Sequence, residues 1–156
     1  MIRLSGELKP EAARRAWLRF APLHYDFGTI RQSLADNSKR YLALDESGRV
    51  VGFAAASSLW GKGDSAGKPR YRSHKIVVKA EYQLWSEVAD ALAHLYVSNS
   101  YSYSCIAPDS LTSYRLNNPN WEKRDNSNLP VGCSSWKYIG AATFTPFPVD
   151  CQARLC

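Results

Sequence analysis

The chain lacks the signals of several function classes. It has no Cys-x-x-Cys pair, and its four cysteines, Cys105, Cys133, Cys151 and Cys156, form no Cys/His cluster with zinc spacing. Its three histidines are scattered and have no carboxylate pattern beside them, so no metal is expected. Long hydrophobic runs are missing too: stretches such as Val50 to Trp60 fall well short of a bilayer span, which predicts no transmembrane helix. Met1-Ile2-Arg3-Leu4-Ser5 leads into charged residues, not an apolar core, so the expectation is a cytoplasmic protein with reduced thiols and no secretory leader. No repeat and no low-complexity segment occurs.

What is present describes a globular chain. Hydrophobic residues make up 45% and charged residues 22% of 156, which suits one domain with one real core. The domain is expected over 1–140, with a Pro-containing tail over 141–156. The formal net charge of +6 is unevenly spread. Residues 62–79 carry six cations (Lys62, Lys68, Arg70, Arg72, Lys75, Lys79) against one acid, Asp64. Such a stretch suits a nucleic acid, a phosphorylated cofactor, an acidic protein or simply a solvated face. Nucleic acid is the weaker reading, because no helix-turn-helix, RRM or zinc pattern accompanies the charge.

Periodicity gives the elements. A helix is expected over 9–21, with Pro10 and Glu11 suited to its first turn and Ala13, Trp17 and Phe20 on one face. A second helix is expected from Phe27 to Asp36. Arg40–Leu44 and Val50–Ala56, joined by Asp45-Glu46-Ser47-Gly48-Arg49, read as a hairpin. Tyr71–Lys79 is a strand with a β-branched centre, Glu81–Ser98 an amphipathic helix, and Tyr101–Ile106 a strand in which Cys105 is a small core residue. Asp109 can cap a helix reaching Leu116. Residues 124–133 read as a polar loop, and Ser134–Gly140 as the last strand. The order α-α-β-β-β-α-β-α-β implies an α/β (α+β) domain with a mixed sheet, antiparallel first and then with a parallel crossover.

Four stretches carry a family resemblance. Trp17 to Tyr25 looks like an F-x-x-x-H-Y motif. Arg40–Leu44 with Gly48–Phe53 resembles the first hairpin of the same family, and Ser73-His74-Lys75-Ile76-Val77-Val78-Lys79-Ala80-Glu81-Tyr82-Gln83 its central strand and loop entry. Ser134–Gly140 is similar to its closing strand. Together, over residues 10–140, they resemble a bacterial and phage branch of the GNAT N-acetyltransferase superfamily. The resemblance implies a mostly antiparallel sheet flanked by helices, with a V-shaped splay between the central strands. It also implies acetyl transfer from acetyl-CoA to an amine, a protein lysine or N-terminus among them.

The resemblance also assigns residues. Backbone N–H groups of Val77 and Val78 would polarise the thioester carbonyl, and Lys79, Gln83, Leu84, Trp85 and Ser86 would meet the cofactor. Tyr114 would protonate the leaving thiolate, since a phenol of pKa about 10 suits a thiol of about 8–9. His74 would serve as base. His24 and Tyr25 would face the amine. Arg70, Arg72, Lys75 and Lys79 would contact phosphates or an acidic acceptor. One departure stands out: Gln83-Leu84-Trp85-Ser86-Glu87-Val88 puts Ser86 and Val88 where the family has glycines. Trp85 by bulk and Glu87 by charge would then obstruct a pyrophosphate. On that ground the alternative is a scaffold that has lost catalysis and binds a partner protein, a host protein if the chain is phage-encoded.

Overall fold

A computed structural model describes residues 1–24, 34–61, 63–82, 84–112, 115–124 and 128–140. Seven strands form one sheet in the order β1-β2-β3-β4-β5-β7-β6. They are β1 (Arg3–Leu4), β2 (Ser38–Leu44), β3 (Val50–Leu59), β4 (Arg70–Val78), β5 (Ser102–Pro108), β6 (Trp121–Arg124) and β7 (Cys133–Tyr138). The helices are α1 (Pro10–Phe20), α2 (Trp85–Ser98) and the short α3 (Asp109–Thr112). All neighbours are antiparallel except β4 and β5. The mixed, mostly antiparallel sheet flanked by helices is the architecture expected from the sequence.

Each helix covers one face. Pro10 opens α1, Glu11 and Arg19 complement its two ends, and Ala13, Trp17 and Phe20 form its buried stripe. That stripe packs on Leu42, Leu44, Phe53, Ala55 and Val77. On the other face α2 lays Val88, Leu92, Leu95 and Tyr96 on Tyr41, Val51, Ile76 and Tyr103. Tyr96 is the hub of this layer: its hydroxyl shares a 2.9 Å hydrogen bond with that of Tyr41, and its ring lies 4.4 Å from Tyr71 and 5.6 Å from Tyr103. Burial pushes the Tyr41 phenol up to about 12. Burial also raises the Cys105 thiol, to about 11, in keeping with a core residue. Among the described residues no helix is long and apolar enough to cross a membrane, and no cluster of His, Cys, Asp or Glu is suited to a metal.

Several sequence expectations are corrected. β1 and β6 were not anticipated: β1 is two residues long, and β6 has one buried residue, Trp121, so neither shows a legible period. The expected helix Phe27–Asp36 falls mostly outside the described residues, and its described end, 34–36, is not helical. The helix expected from Glu81 begins only at Trp85, after a 3-10 turn at Ala80–Tyr82. The helix expected to reach Leu116 is described over Asp109–Thr112; Ser113 and Tyr114 lie outside the described residues, and the Leu116 N–H donates to Thr112 O at 3.0 Å. The strand β5 runs on to Pro108, two residues past its expected end at Ile106. The expected tail, 141–156, also lies outside the described residues.

Candidate active site

The site begins where β4 and β5 part. Their parallel ladder holds three pairs, Arg70↔Ser102, Tyr71↔Tyr103 and Arg72↔Ser104, and then stops. Beyond it, β4 stays with β3 up to Gly52↔Val78, while β5 stays with β7 up to Pro108↔Cys133. The Ser73 and Tyr103 hydroxyls share a 2.8 Å hydrogen bond at the point of divergence. This is the V-shaped splay expected from the sequence.

The register decides which backbone groups face the opening. Lys79 N–H donates to Val51 O at 3.0 Å, so Lys79 points its backbone at β3. Backbone polar groups alternate sides along a strand, so the N–H of Val77 also points at β3 and those of Ile76 and Val78 point into the splay. The Trp85 indole Nε1–H donates to Ile76 O at 3.2 Å, which marks that carbonyl as splay-facing. Of the two residues assigned from the sequence, Val78 therefore offers its N–H to the opening and Val77 does not. The Val77 side chain packs in the α1-side core.

A cavity of about 660 Å³ fills the splay. Ile76, Val78, Lys79, Leu84, Trp85, Ser86, Leu111 and Arg115 are among its walls. Lys79 and Arg115 are its cations, and no carboxylate is among its described lining residues. Leu84 has no side chain able to cap α2, so the open N–H groups of that 14-residue helix sit at the cavity edge. Ser86 Oγ donates to Arg115 O at 2.8 Å, and the Arg115 guanidinium carbon lies 5.8 Å from the centroid of the Trp85 ring. These contacts tie α2 to β4 on one arm of the V and to the segment after α3 on the other.

The two residues expected to obstruct a pyrophosphate lie in different places. Trp85 is only 8% exposed and lies back against β4, forming a wall of the cavity. Glu87 lines a different groove, on the far side of α2, with Asp90, Ala91 and His94. Val88, at the second expected glycine position, is fully buried on the sheet-facing side of α2 and serves packing, whereas Ser86, at the first, lines the cavity.

Other expected site residues are distributed as follows. Lys79, Leu84, Trp85 and Ser86 line the cavity, whereas Gln83, Tyr25 and Tyr114 lie outside the described residues. His74 is not among the described lining residues, and its Nε2 accepts the Ala35 N–H at 3.0 Å. His24 is buried edge-on to Trp17, with ring centroids 5.8 Å apart; the preceding residue, Leu23, reaches the cavity. The four cations grouped in the sequence separate: Lys79 enters the cavity, and Lys75 is buried with Nζ 5.8 Å from the Trp17 ring. Arg70 and Arg72 are half-buried near the apex of the V. Arg115 went unassigned in the sequence. Its signal was adjacency to Tyr114, in a segment already matched to the family.

No family model and no curated protein matches the chain, but solved structures do. A GNAT-family acetyltransferase from Staphylococcus aureus superposes with a TM-score of 0.56 at 13% identity, over 88% of this chain and 98% of that one. Arabidopsis thaliana NAA60 in complex with acetyl-CoA gives 0.56 at 10% identity, over 88% and 98%. A spermidine N-acetyltransferase SpeG chimera from Vibrio cholerae and hSSAT gives 0.56 at 8% identity, over 88% and 94%. The chain has the fold of the GNAT N-acetyltransferases.

Proposed function

We propose that the chain is an N-acetyltransferase that carries acetyl from acetyl-CoA to a primary amine. The observation that carries this reading is the splay itself, where Val78 turns its N–H into a cavity whose far walls hold Lys79, Arg115 and the open end of α2. Those residues fit a thioester with a phosphorylated carrier. Donors and cations gather where negative charge would lie, and the described walls bring no opposing carboxylate.

Acetyl-CoA, when bound, supplies an acyl thioester whose C–S bond breaks as the amine forms a C–N bond. The residues of the chain do the rest. The Val78 N–H, held in place by the β3–β4 ladder, would stabilise the charge that develops on the carbonyl oxygen. Lys79, Arg115 and the first turn of α2 would hold the phosphates, in place of a glycine loop. By the family resemblance Tyr114 would give its proton to the departing sulfur, and the proton that the amine sheds as the C–N bond forms would pass to water. By the family resemblance His24 and Tyr25 would receive the amine. His74 takes no part, because the lone pair a base would use already accepts a backbone N–H.

Acetyl-CoA-dependent modification of an amine panel, followed by mass spectrometry, tests the reading. In the active protein Tyr114→Phe lowers turnover about 10- to 1000-fold with unchanged stability. Equal turnover in that variant removes Tyr114 from the mechanism. The second reading, a partner-binding scaffold without catalysis, is favoured by one contact: the indole of Trp85 already occupies the Ile76 carbonyl inside the splay. Cofactor binding without any acetylated product would support it.

A further inference from the structure

We infer that the open face of the β4–β5–β7 arm is a docking surface for an acidic polypeptide, which deepens the acetyltransferase reading by naming its acceptor class. β5 and β7 alternate strictly between buried and half-exposed residues. Their buried side lies under α2. Among the described residues no helix covers the other side.

The register arranges that open side in rows. Ser57, Arg72, Ser104, Lys137 and Glu122 stand opposite one another across five strands. Arg70 opposite Ser102, and Arg124 opposite Ser135, form the flanking rows. Arg72 belongs to the last β4–β5 pair before the strands part, so this row sits at the apex of the V. Four cations face two nearby acids. Glu122 pairs with Arg124 at 3.2 Å, and Asp64, whose carboxyl is held below its usual range mainly by the Lys68 N–H, also feels Lys137. The surplus is positive.

The spacing suits an extended chain. Arg70 and Arg72 are alternate residues of one strand, so they repeat at about 7 Å, the same interval at which an extended peptide presents side chains to one side. Lys137 lies two strands away, at about 10 Å. Ser102, Ser104 and Ser135 add hydroxyls that can bond peptide amides. No aromatic residue stands among these strand positions, and the exposed Trp60, whose carbonyl accepts from Arg70 at 3.1 Å, follows the end of β3, so the rows themselves carry no series of platforms for stacking bases, which disfavours nucleic acid. Chemistry agrees: a polypeptide brings a nucleophilic aliphatic amine at its N-terminus or a lysine, whereas nucleobase amines are delocalised into the ring.

The test is fluorescence anisotropy with the full chain and a labelled hexaglutamate that keeps a free N-terminal amine, at low and moderate salt. Hexalysine and a single-stranded oligonucleotide serve as comparisons. The acidic peptide is expected to bind with salt-sensitive affinity, hexalysine not at all, and Arg72→Glu/Lys137→Glu to weaken binding about tenfold. The milder pair Arg72→Gln/Lys137→Gln is expected to weaken it less, and its circular dichroism spectrum verifies folding. Equal binding by folded variants, no binding by wild type, or tighter oligonucleotide binding each overturns the proposal. Calorimetry with acetyl-CoA on the same proteins separates the two levels. Peptide binding without cofactor binding sinks the enzyme and leaves the surface; the reverse sinks the surface alone.

Discussion

Along β3, six consecutive residues from Val51 to Ala56 are buried, whereas along β5 and β7 buried residues alternate with half-exposed ones. The first arm is sandwiched between α1 and α2; among the described residues the helices that cover the second, α2 and the short α3, lie on one side of it. β4 belongs to both arms. Its early residues pair with β5, and its last ones remain with the first arm and expose their backbone to the splay. The difference teaches where stability and chemistry reside. A strand buried on both faces fixes position, and the half-covered arm has a side left over for binding.

The largest expected effect lies in the sandwiched arm. Phe53 is fully buried against Trp17 and Phe20, so Phe53→Ala should cost about 3–5 kcal/mol in urea unfolding. Ser104→Ala, on the half-covered arm, should stay within about 0.5 kcal/mol. Similar losses at both positions would break the comparison.

Next comes the layer under α2. The Tyr41 phenol titrates at about 12 in the fold, because burial disfavours its anion, and near 10.0 when unfolded. A raised folded pKa means stability is fully present below pH 10 and falls as pH rises from about 10 to 12, by about 1.4 kcal/mol per unit for one such group. Tyr96 and Tyr103 shift in the same direction. Urea midpoints at pH 8, 10 and 11 should therefore decline after pH 10, and a flat profile would contradict the packing described for Tyr96.

At the junction of the arms, Arg115→Ala should weaken acetyl-CoA binding about tenfold and leave the melting temperature unchanged. A melting shift without an affinity change would assign Arg115 to structure only. A smaller loss is expected of Tyr96→Phe, about 1 kcal/mol through loss of the Tyr41 hydrogen bond. A neutral result there would mean the hydroxyl pair adds nothing beyond ring packing.

These regions also differ in how legible they were. Trp17, Phe20 and Phe53 announce α1 and the hairpin, because an apolar stripe at helical spacing and a continuous apolar strand are local patterns. The splay was legible only through family resemblance, since no local property of Ser73 or Cys105 says that a ladder ends there. The directions of the loop side chains were hidden for the same reason. Residue type alone made Trp85 and Glu87 look obstructive, but helix phase decides direction. Glu87 turns to the far side of α2, and Trp85 finds the carbonyl of Ile76, nine residues earlier in the chain. Arg115 was hidden because its place in the cavity depends on Ser86, 29 residues away in sequence.

The central claim is that side chains and a helix end replace the glycine loop in holding the cofactor. Calorimetric titration of acetyl-CoA into the full chain tests it most directly. The account predicts one site per chain with micromolar affinity, competed by free CoA. No heat at millimolar acetyl-CoA would contradict it.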